Sequence, residues 1–439
     1  MFQRFSAYVK SVAESSPFLR YVLTLLTGTA VAQVIVFFMM MIITRLYGRE
    51  TIGELGTFNS IVAIAVTIAA GRYDMALMLE KDDRNAKVVA LLGMRLIAIN
   101  ALVITVLAFP LRSVVQNHYS EAVANWLPLA GLTTFFMAGA TLLQYWYNRK
   151  TDYKTIARNR VVQQVGTSGG QVLFGWAGLR TLPGLVGGQI IGQAYAFTNL
   201  SIRAKDLRKL DTTGARPMRE LAKKHWKMPA LNGPNVLVDS IRTNGINLLI
   251  GKVSLGDFGE YNIANQAVKV PVILINSAVS QVFFQKLSHI KPGEMYKEVK
   301  NSIKRALLIG TVPFILLWII APWLLPILFG SDFSQSGYYA RALIPWMLML
   351  LITSPISTMF VVTGTQHWML IYSIFYTIAP LTWLIMSPMD LLGTVYVLGL
   401  IMAGCLIVMT IMSLFAAKRF DKRGVTPEEN DSEPDTPTE

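Results

Sequence analysis

The chain has 439 residues, of which 53% are hydrophobic and only 15% are charged. A soluble protein of this size would carry about 25% charged residues, so the composition excludes an ordinary soluble protein and indicates a polytopic membrane protein. The net charge of +14 is explained by basic cytoplasmic loops, and no nucleic-acid partner is expected. One cysteine excludes an intrachain disulfide. The four histidines lie far apart, so neither a metal nor a cofactor is expected.

Twelve apolar segments, each long enough to cross a bilayer, follow one another along the chain. An amphipathic surface segment at 1–20 precedes them, a basic cytoplasmic linker at 203–228 divides them, and an acidic, disordered cytoplasmic tail at 418–439 follows. The predicted fold is therefore all-α, with an N-lobe at 21–202 and a C-lobe at 229–417. The spans are placed at 21–44, 54–79, 87–109, 124–146, 160–180, 184–202, 229–251, 258–284, 303–329, 338–363, 367–387 and 390–417.

The loop charges predict the orientation of the chain. Counting residues at span ends with the loops, 30 of the 40 lysines and arginines fall on the side of the N-terminus, six fall on the other side and four lie within spans. This bias predicts that both termini are cytoplasmic. The halves also repeat: Ile52-Gly53-Glu54-Leu55 opens span two, and Phe258-Gly259-Glu260-Tyr261 opens span eight 206 residues later. A parallel repeat of six helices is typical of transporters and predicts two lobes around a central cavity.

Six ionisable residues lie deep within the spans: Arg72, Arg95, Arg242, Lys269, Asp74 and Asp239. Such residues are costly in hydrocarbon and normally face a bundle interior or a wet cavity. An excess of cations suits an anionic head group such as a diphosphate. The alternative, structural ion pairing, fits Asp239 and Arg242, which are three residues apart on one helix face. Arg72 and Asp74 are two residues apart and are predicted not to face each other, so Asp74 could pair with Arg95 instead.

Glycines and prolines mark two further features. In span seven, Asn232-Gly233-Pro234 predicts a broken helix, and Pro271 predicts a bend in span eight. Gly233, Pro234 and Pro271 are therefore hinge candidates, although static kinks fit the sequence equally well. The GxxxG spacing of Gly166 and Gly170, and of the glycines in span six, predicts close packing of spans five and six.

Several motifs of the N-terminal half are similar to those of a known family. They are Leu25-Leu26-Thr27-Gly28-Thr29-Ala30 with Gln33, Thr44-Arg45-Leu46-Tyr47, Gly53, Gly71-Arg72-Tyr73-Asp74, Lys81-Asp82-Asp83, and Gly184-Leu185-Val186-Gly187-Gly188 with Gly192. They resemble bacterial polysaccharide repeat-unit flippases of the multidrug/oligosaccharidyl-lipid/polysaccharide (MOP) exporter superfamily. The resemblance implies a multi-pass protein of the bacterial inner membrane whose two six-helix lobes enclose a cavity that opens alternately to each side.

The resemblance also implies a function without an enzymatic reaction. Such proteins move undecaprenyl-diphosphate-linked oligosaccharides to the periplasmic leaflet, where they become O-antigen, capsule or exopolysaccharide. Arg72 would then serve loading from the cytoplasmic side, Arg242 and Lys269 would form a deeper diphosphate site, and Asp74 or Asp239 would couple transport to a proton or sodium gradient. Arg95, on span three, is a further candidate for the diphosphate. The implied partners are the lipid-linked oligosaccharide, membrane lipids, a polysaccharide polymerase and a chain-length regulator.

Two other functions compete with this one. An ion-coupled drug/cation antiporter of the same superfamily would favour acids in its cavity, and four deep cations against two acids argue against it. A membrane enzyme acting on lipid-linked sugars would need a large outer loop, whereas the longest one predicted, at 110–123, is too small for a catalytic domain.

Overall fold

The computed structural model describes residues 17–208, 214–288, 293–357, 359–363 and 365–423. These residues form helices and turns and contain no β-strand. Twelve of the described helices are 21 to 36 residues long, and each corresponds to one predicted span. The first sixteen residues of the predicted surface segment and the predicted tail from residue 424 lie outside the described residues.

The N-lobe holds eight helices, two of which are short. They are α1 Pro17–Leu46, α2 Arg49–Ala69, α3 Tyr73–Leu79, α4 Asp83–His118, α5 Glu121–Trp126, α6 Leu129–Arg149, α7 Tyr153–Trp176 and α8 Leu182–Arg203. Predicted span two is thus divided between α2 and α3. The predicted outer loop at 110–123 is wrong, because α4 continues through Pro110 to His118 and α5 follows directly.

The linker and the C-lobe contain the remaining helices. In the linker lie α9 Lys205–Arg208, α10 Met218–Lys224 and a π-helical turn Met228–Asn232. The C-lobe contains α11 Gly233–Val253, α12 Leu255–Ser288, α13 Met295–Phe329, a 3-10 turn Ser331–Phe333, α14 Ser336–Ile356, α15 Met359–Val362, α16 Gln366–Met386 and α17 Leu391–Arg423. Below, the end of the bundle that carries the linker is called the basic end, and the end that carries residues 46–49, 119–128 and 330–335 is called the opposite end.

Apolar composition identifies only part of this membrane bundle. By length and composition alone, six helical stretches of the described residues could cross a membrane: α1, α2 with α3, α4, α13, α14 and α17. The helices α6, α7, α8 and α11 fall short of that criterion, and several of them carry glutamine, asparagine and glycine residues on packed faces. Their polar side chains are tolerated because they face other helices. The protein is therefore a multi-pass, all-helical membrane protein.

Glycines bring α7 and α8 into backbone contact. A methyl group added to Gly170 would lie 2.9 Å from the Cα atom of Gly188, and one added to Gly166 would lie 3.1 Å from that of Gly192. This confirms the close packing predicted from the GxxxG spacing. Helix α1 joins the same layer, since a methyl group on Gly28 would lie 2.6 Å from the Cβ atom of Ala157.

The two lobes meet closely at the opposite end, where α2 and α12 begin. A methyl group on Gly53 would lie 1.9 Å from the carbonyl oxygen of Leu255, and one on Gly259 would lie 2.0 Å from that of Arg49. The two motifs that suggested the repeat therefore pack against each other, and only glycine fits at either position. From there α2 follows α11 toward the basic end along a polar seam: Asn247 donates to Ser60 at 3.2 Å, and Thr67 donates to Ser240 at 3.1 Å.

The linker is docked on the N-lobe at the basic end. Leu221 of α10 is fully buried, and the hydroxyl of Tyr73 donates to the carbonyl of Ala222 at 3.1 Å. The buried carboxylate of Glu80 contacts Lys224 at 2.6 Å and His225 at 2.5 Å. Linker residues from 214 onward are thus part of the N-lobe surface.

The start of the predicted tail is also structured. Helix α17 extends to Arg423, so the tail predicted to begin at 418 is helical for its first six residues. Asp421 explains the extension, because its carboxylate accepts backbone N–H groups of Gly293 at 2.9 Å, Met295 at 3.0 Å and Tyr296 at 2.8 Å. It satisfies the otherwise unpaired donors at the beginning of α13.

Candidate functional site

A sharp backbone turn separates α2 from α3. Gly71 has φ of +55° and Arg72 has φ of +59°, which places two consecutive residues in the left-handed region. The turn brings Nη1 of Arg72 to 3.8 Å from Oδ2 of Asp74. The prediction that these two residues do not face each other is therefore wrong, because it assumed a continuous helix. Asp74 pairs with Arg72 and not with Arg95.

Arg72 also bridges the two lobes. Its Nε donates to Oδ1 of Asn232 at 2.9 Å, and Asn232 is the last residue of the π-helical turn that leads into α11. Asp74 is 5% exposed, and its Oδ1 accepts no hydrogen bond from the described residues. A buried, half-satisfied carboxylate thus lies beside the point where the N-lobe holds the start of the C-lobe.

The irregularity predicted around Asn232-Gly233-Pro234 is present as this π-helical turn, with Gly233 and Pro234 opening α11. Pro271 lies inside α12, which continues past it. A proline there removes one backbone hydrogen bond. The hinge role of these three residues stays a prediction.

Arg242 is held in place by an acid and an aromatic ring. It forms the predicted ion pair with Asp239 on α11, and its guanidinium lies 4.2 Å from the ring centre of Tyr376. Trp346 donates to the Tyr376 hydroxyl at 3.1 Å and so orients the ring. The structural pairing considered from the sequence is thus present, together with a cation–π contact.

Lys269 lies close to this group. It is partly buried on α12, within electrostatic range of Arg242 and Asp239. Among the described residues, Lys269 forms no ion pair of its own, and Asp239 already pairs with Arg242. The C-lobe therefore presents two cations with one acid. Arg95 is exposed and approaches the sulfur of Met218 at 3.5 Å, so the structure does not bring it to this cluster.

A cavity of about 250 Å³ lies between the N-lobe helices α1, α2, α7, α8 and the C-lobe helix α12. Five of its lining residues are apolar: Val36, Met40, Ile43, Ile52 and Leu55. The other eight are polar but uncharged: Asn59, Gln164, Thr167, Ser168, Gln171, Gln189, Asn262 and Gln266. We call this cavity the amide pocket. Its polar side chains bond to one another: Gln189 donates to Asn59 at 2.8 Å, Gln266 to Asn262 at 2.9 Å, and Gln164 to the Ser168 hydroxyl at 2.9 Å. Gln171 donates to the carbonyl of Leu185 at 3.2 Å.

The charged residues alone do not indicate this pocket. Its sequence signature is the spacing of uncharged polar residues: Gln164, Ser168 and Gln171 recur at helical intervals on α7, as do Asn262 and Gln266 on α12. A fifth cation, Arg160, lies at the boundary between predicted span five and the loop before it. Arg160 lies one turn before Gln164, and its guanidinium donates to the hydroxyl of Thr29 on α1 at 2.6 Å.

The opposite end is closed above the pocket. Nη1 of Arg49, on the N-lobe, contacts the carboxylate of Glu260, on the C-lobe, at 2.9 Å. Glu260 is fully buried and also accepts the backbone N–H of Gln335 at 2.5 Å. Helix α1 reaches α13 there as well, because Arg45 donates to the carbonyl of Ile327 at 3.1 Å.

No group of three or more His, Cys, Asp or Glu side chains within the described ranges could hold a metal ion. The polar features of the membrane region are thus cations, single carboxylates and amides.

Solved structures share this architecture. The chain is similar to the lipid II flippase MurJ in an inward closed conformation, with a TM-score of 0.71 and 12% identity over 91% of this chain and 90% of that one. It is also similar to a multidrug resistance MATE family transporter of the MOP superfamily. The inward-facing form gives a TM-score of 0.65 with 16% identity over 88% and 96% of the two chains, and the outward-facing form gives 0.60 with 16% identity over 92% and 95%.

The fold therefore defines a class: a multi-pass, all-helical membrane protein that shares the fold of these transporters and of the lipid II flippase. No individually curated protein matches the sequence. The model of a family of polysaccharide biosynthesis proteins matches residues 42–337, and the chain belongs to that family.

Proposed function

We propose that this protein is a flippase for lipid-linked oligosaccharides. It moves undecaprenyl-diphosphate-linked repeat units from the cytoplasmic to the periplasmic leaflet of the bacterial inner membrane, for O-antigen, capsule or exopolysaccharide. Both termini lie in the cytoplasm, so the basic end is cytoplasmic. The family of polysaccharide biosynthesis proteins supports this proposal, as does the fold shared with a lipid II flippase.

The observation that carries the proposal is the pair of cations on α11 and α12. Lys269 lies within electrostatic range of Arg242 and Asp239, and Asp239 already pairs with Arg242. A diphosphate supplies the missing negative charge, and a guanidinium can bind its oxygens in a bidentate manner. The sugar head then crosses through the cavity between the lobes while the lipid tail stays in the bilayer.

Arg72 serves the loading step in this scheme. Its guanidinium already contacts Asn232 at the start of the C-lobe and Asp74 in its own lobe. An arriving diphosphate would compete for the same donors. Asp74 is the better candidate for coupling to a proton or sodium gradient, because it is buried and one of its oxygens is unpaired among the described residues, whereas the side chain of Asp239 is exposed.

Complementation tests the proposal. In a strain that lacks its own repeat-unit flippase, the wild-type chain should restore surface polysaccharide, and the double variant Arg242→Ala/Lys269→Ala should not. Lys252→Ala is the matched control, because Lys252 lies on α11 but is exposed near the opposite end. Normal export by the double variant, at normal protein level, would contradict a cationic diphosphate site.

The similarity to multidrug transporters favours a second candidate, a drug/cation antiporter. The two functions differ in the phenotype of a deletion strain. The flippase proposal expects lost surface polysaccharide and unchanged drug sensitivity. Increased drug sensitivity with normal surface polysaccharide would favour the antiporter instead.

A further inference from the structure

The amide pocket has the chemistry of a site for an uncharged, polyhydroxylated ligand. None of its lining residues is charged, and primary amides supply both donors and acceptors. The three hydrogen bonds within the pocket use one polar atom of each partner. The second polar atom of each amide makes no hydrogen bond to the described residues and can serve a ligand.

The apolar part of the lining suits the C–H faces of a sugar ring. Apolar side chains of α1 and α2 line the same cavity as the amides, and a sugar ring presents C–H faces as well as a hydroxyl rim. The volume of about 250 Å³ corresponds to about eight water molecules, which is the scale of one sugar ring. A phosphate would be poorly served here, because no cation lines the pocket.

The register of α12 connects this pocket to the cationic site. Asn262, Gln266 and Lys269 are spaced four and three residues apart and therefore share one helix face. Lys269 lies about 4.5 Å farther along the axis than Gln266, in the direction of the basic end. A ligand with its phosphates at Lys269 thus has its next chemical group at the amides.

Helix α7 shows the same order on the other lobe. Arg160 precedes Gln164 by one turn toward the basic end, and Gln171 lies farther toward the opposite end. Ile52 and Leu55, which flank the tight contact at Gly53, end the pocket there. In both lobes, therefore, the cations lie nearer the basic end and the amides lie nearer the opposite end.

We propose that the amide pocket binds the neutral sugar unit attached to the diphosphate of the transported lipid. This inference rests on the proposed flippase function and adds a site for its sugar. Selection of the substrate then takes place in the N-lobe and on the first turns of α12, separately from the recognition of the diphosphate by Arg242 and Lys269.

Binding of lipids with and without a sugar tests the inference. The probes are undecaprenyl diphosphate and the same lipid carrying one glucose, galactose or N-acetylglucosamine, bound to the purified full-length protein in nanodiscs and quantified by native mass spectrometry. The wild type should bind at least one sugar-bearing lipid about tenfold more tightly than the bare lipid. The variant Gln164→Leu/Gln266→Leu should lose this gain while keeping its affinity for the bare lipid, since each lost hydrogen bond costs a few-fold in affinity.

Gln163→Leu is the matched control. Gln163 precedes Gln164 on α7, but it donates to Gln193 of α8 at 2.6 Å and does not line the pocket. This variant should keep the sugar-dependent gain. The single variants Gln164→Leu and Gln266→Leu should each lose part of it, and they replace the double variant if that protein does not fold.

The outcomes separate the two proposals. If the pocket variants keep the full gain in affinity for sugar-bearing lipid, or if the wild type binds all four lipids equally, the pocket does not bind the sugar. The flippase function would still stand. If the wild type binds none of the four lipids, the proposed function itself fails, and the sugar site fails with it.

Discussion

Arg72 shows how a strained residue can be held at a lobe junction. A left-handed backbone costs a non-glycine residue about 1–2 kcal/mol, and the preceding Gly71 shares that conformation. The strain persists because the side chain is bound on both sides, by Asp74 within the N-lobe and by Asn232 at the start of the C-lobe. The same geometry places a guanidinium near the cytoplasmic entrance proposed for the substrate.

A double-mutant cycle measures the bond between Arg72 and Asn232. Arg72→Ala and Asn232→Ala should each destabilise the protein, and the double variant should be less unstable than their sum by about 1–2 kcal/mol, because the hydrogen bond is charge-assisted. Denaturant unfolding in detergent provides the measurement. Strictly additive losses would show that the two side chains do not interact in the folded protein.

Glu80 makes linker docking depend on pH. Burial alone would raise the pKa of Glu80, but hydrogen bonds and charge from Lys224 and His225 outweigh burial and hold the pKa below its ordinary 4.5. A lowered carboxylate pKa in the folded state means that its stabilising contribution is present above the unfolded pKa and is lost as the pH falls through the folded one.

Glu80→Gln should therefore lower the melting temperature by about 2–4 °C at neutral pH, and the difference from wild type should shrink as the pH falls below about 4. The matched control is Glu220→Gln, because Glu220 forms an exposed pair with Arg216 at 3.7 Å and such pairs contribute little. An equal loss of melting temperature for Glu80→Gln at neutral pH and at a pH below about 4 would contradict the role of its charge.

Among the elements, α7 offers the cleanest comparison of two neighbouring glycines. A methyl group on Gly170 would meet the Gly188 backbone at 2.9 Å, whereas one on Gly169 would meet nothing within 4 Å. Gly170→Ala should destabilise the protein by about 1–3 kcal/mol through overpacking, and Gly169→Ala should stabilise it by about 0.5–1 kcal/mol through helix propensity. Thermal unfolding of the two variants checks both signs. Similar stability for both would show that α7 and α8 are not in backbone contact.

The helical elements were largely predictable, since a bilayer-length apolar run and its loop charges depend on local sequence alone. The misses have specific causes. A turn at Gly71 and Arg72 divides span two, although the run stays apolar on both sides. Helix α4 passes Pro110, which a soluble helix would seldom do but a membrane helix tolerates.

The candidate site was predictable only where it is charged. The deep cations stand out from an apolar background, and Lys269 lies within electrostatic range of Arg242. Glutamine and asparagine give no such contrast. The amide pocket depends on how α7, α8 and α12 are rotated against one another, which follows from glycine contacts between helices and not from any one span.

At the scale of the whole molecule, the repeat is symmetric in sequence but asymmetric in its bonds. Glu54 and Glu260 occupy equivalent positions, and each holds the loop that precedes the fourth long helix of its own lobe. Glu54 accepts the hydroxyl of Ser120 at 2.8 Å, and Glu260 accepts the backbone N–H of Gln335. Of the two, only Glu260 also binds across the lobes, to Arg49. Of the two repeats, only the second therefore contributes a glutamate to the interlobe contacts at this end, beside the glycine contact and the bond from Arg45 to Ile327.

The proposed flippase function requires this closure to open, so weakening it should shift the conformational balance. Glu260→Gln removes the charge that holds Arg49 and should increase the population that is open at this end, whereas the equivalent Glu54→Gln leaves the interlobe contact intact. Spin labels on cysteines introduced at Thr51 and Ser331, which line the same surface cleft from the two lobes, report the separation. The native Cys405 is buried and should contribute little labelling. We expect a longer distance population in Glu260→Gln than in Glu54→Gln, and identical distributions would show that this ion pair does not hold the lobes together.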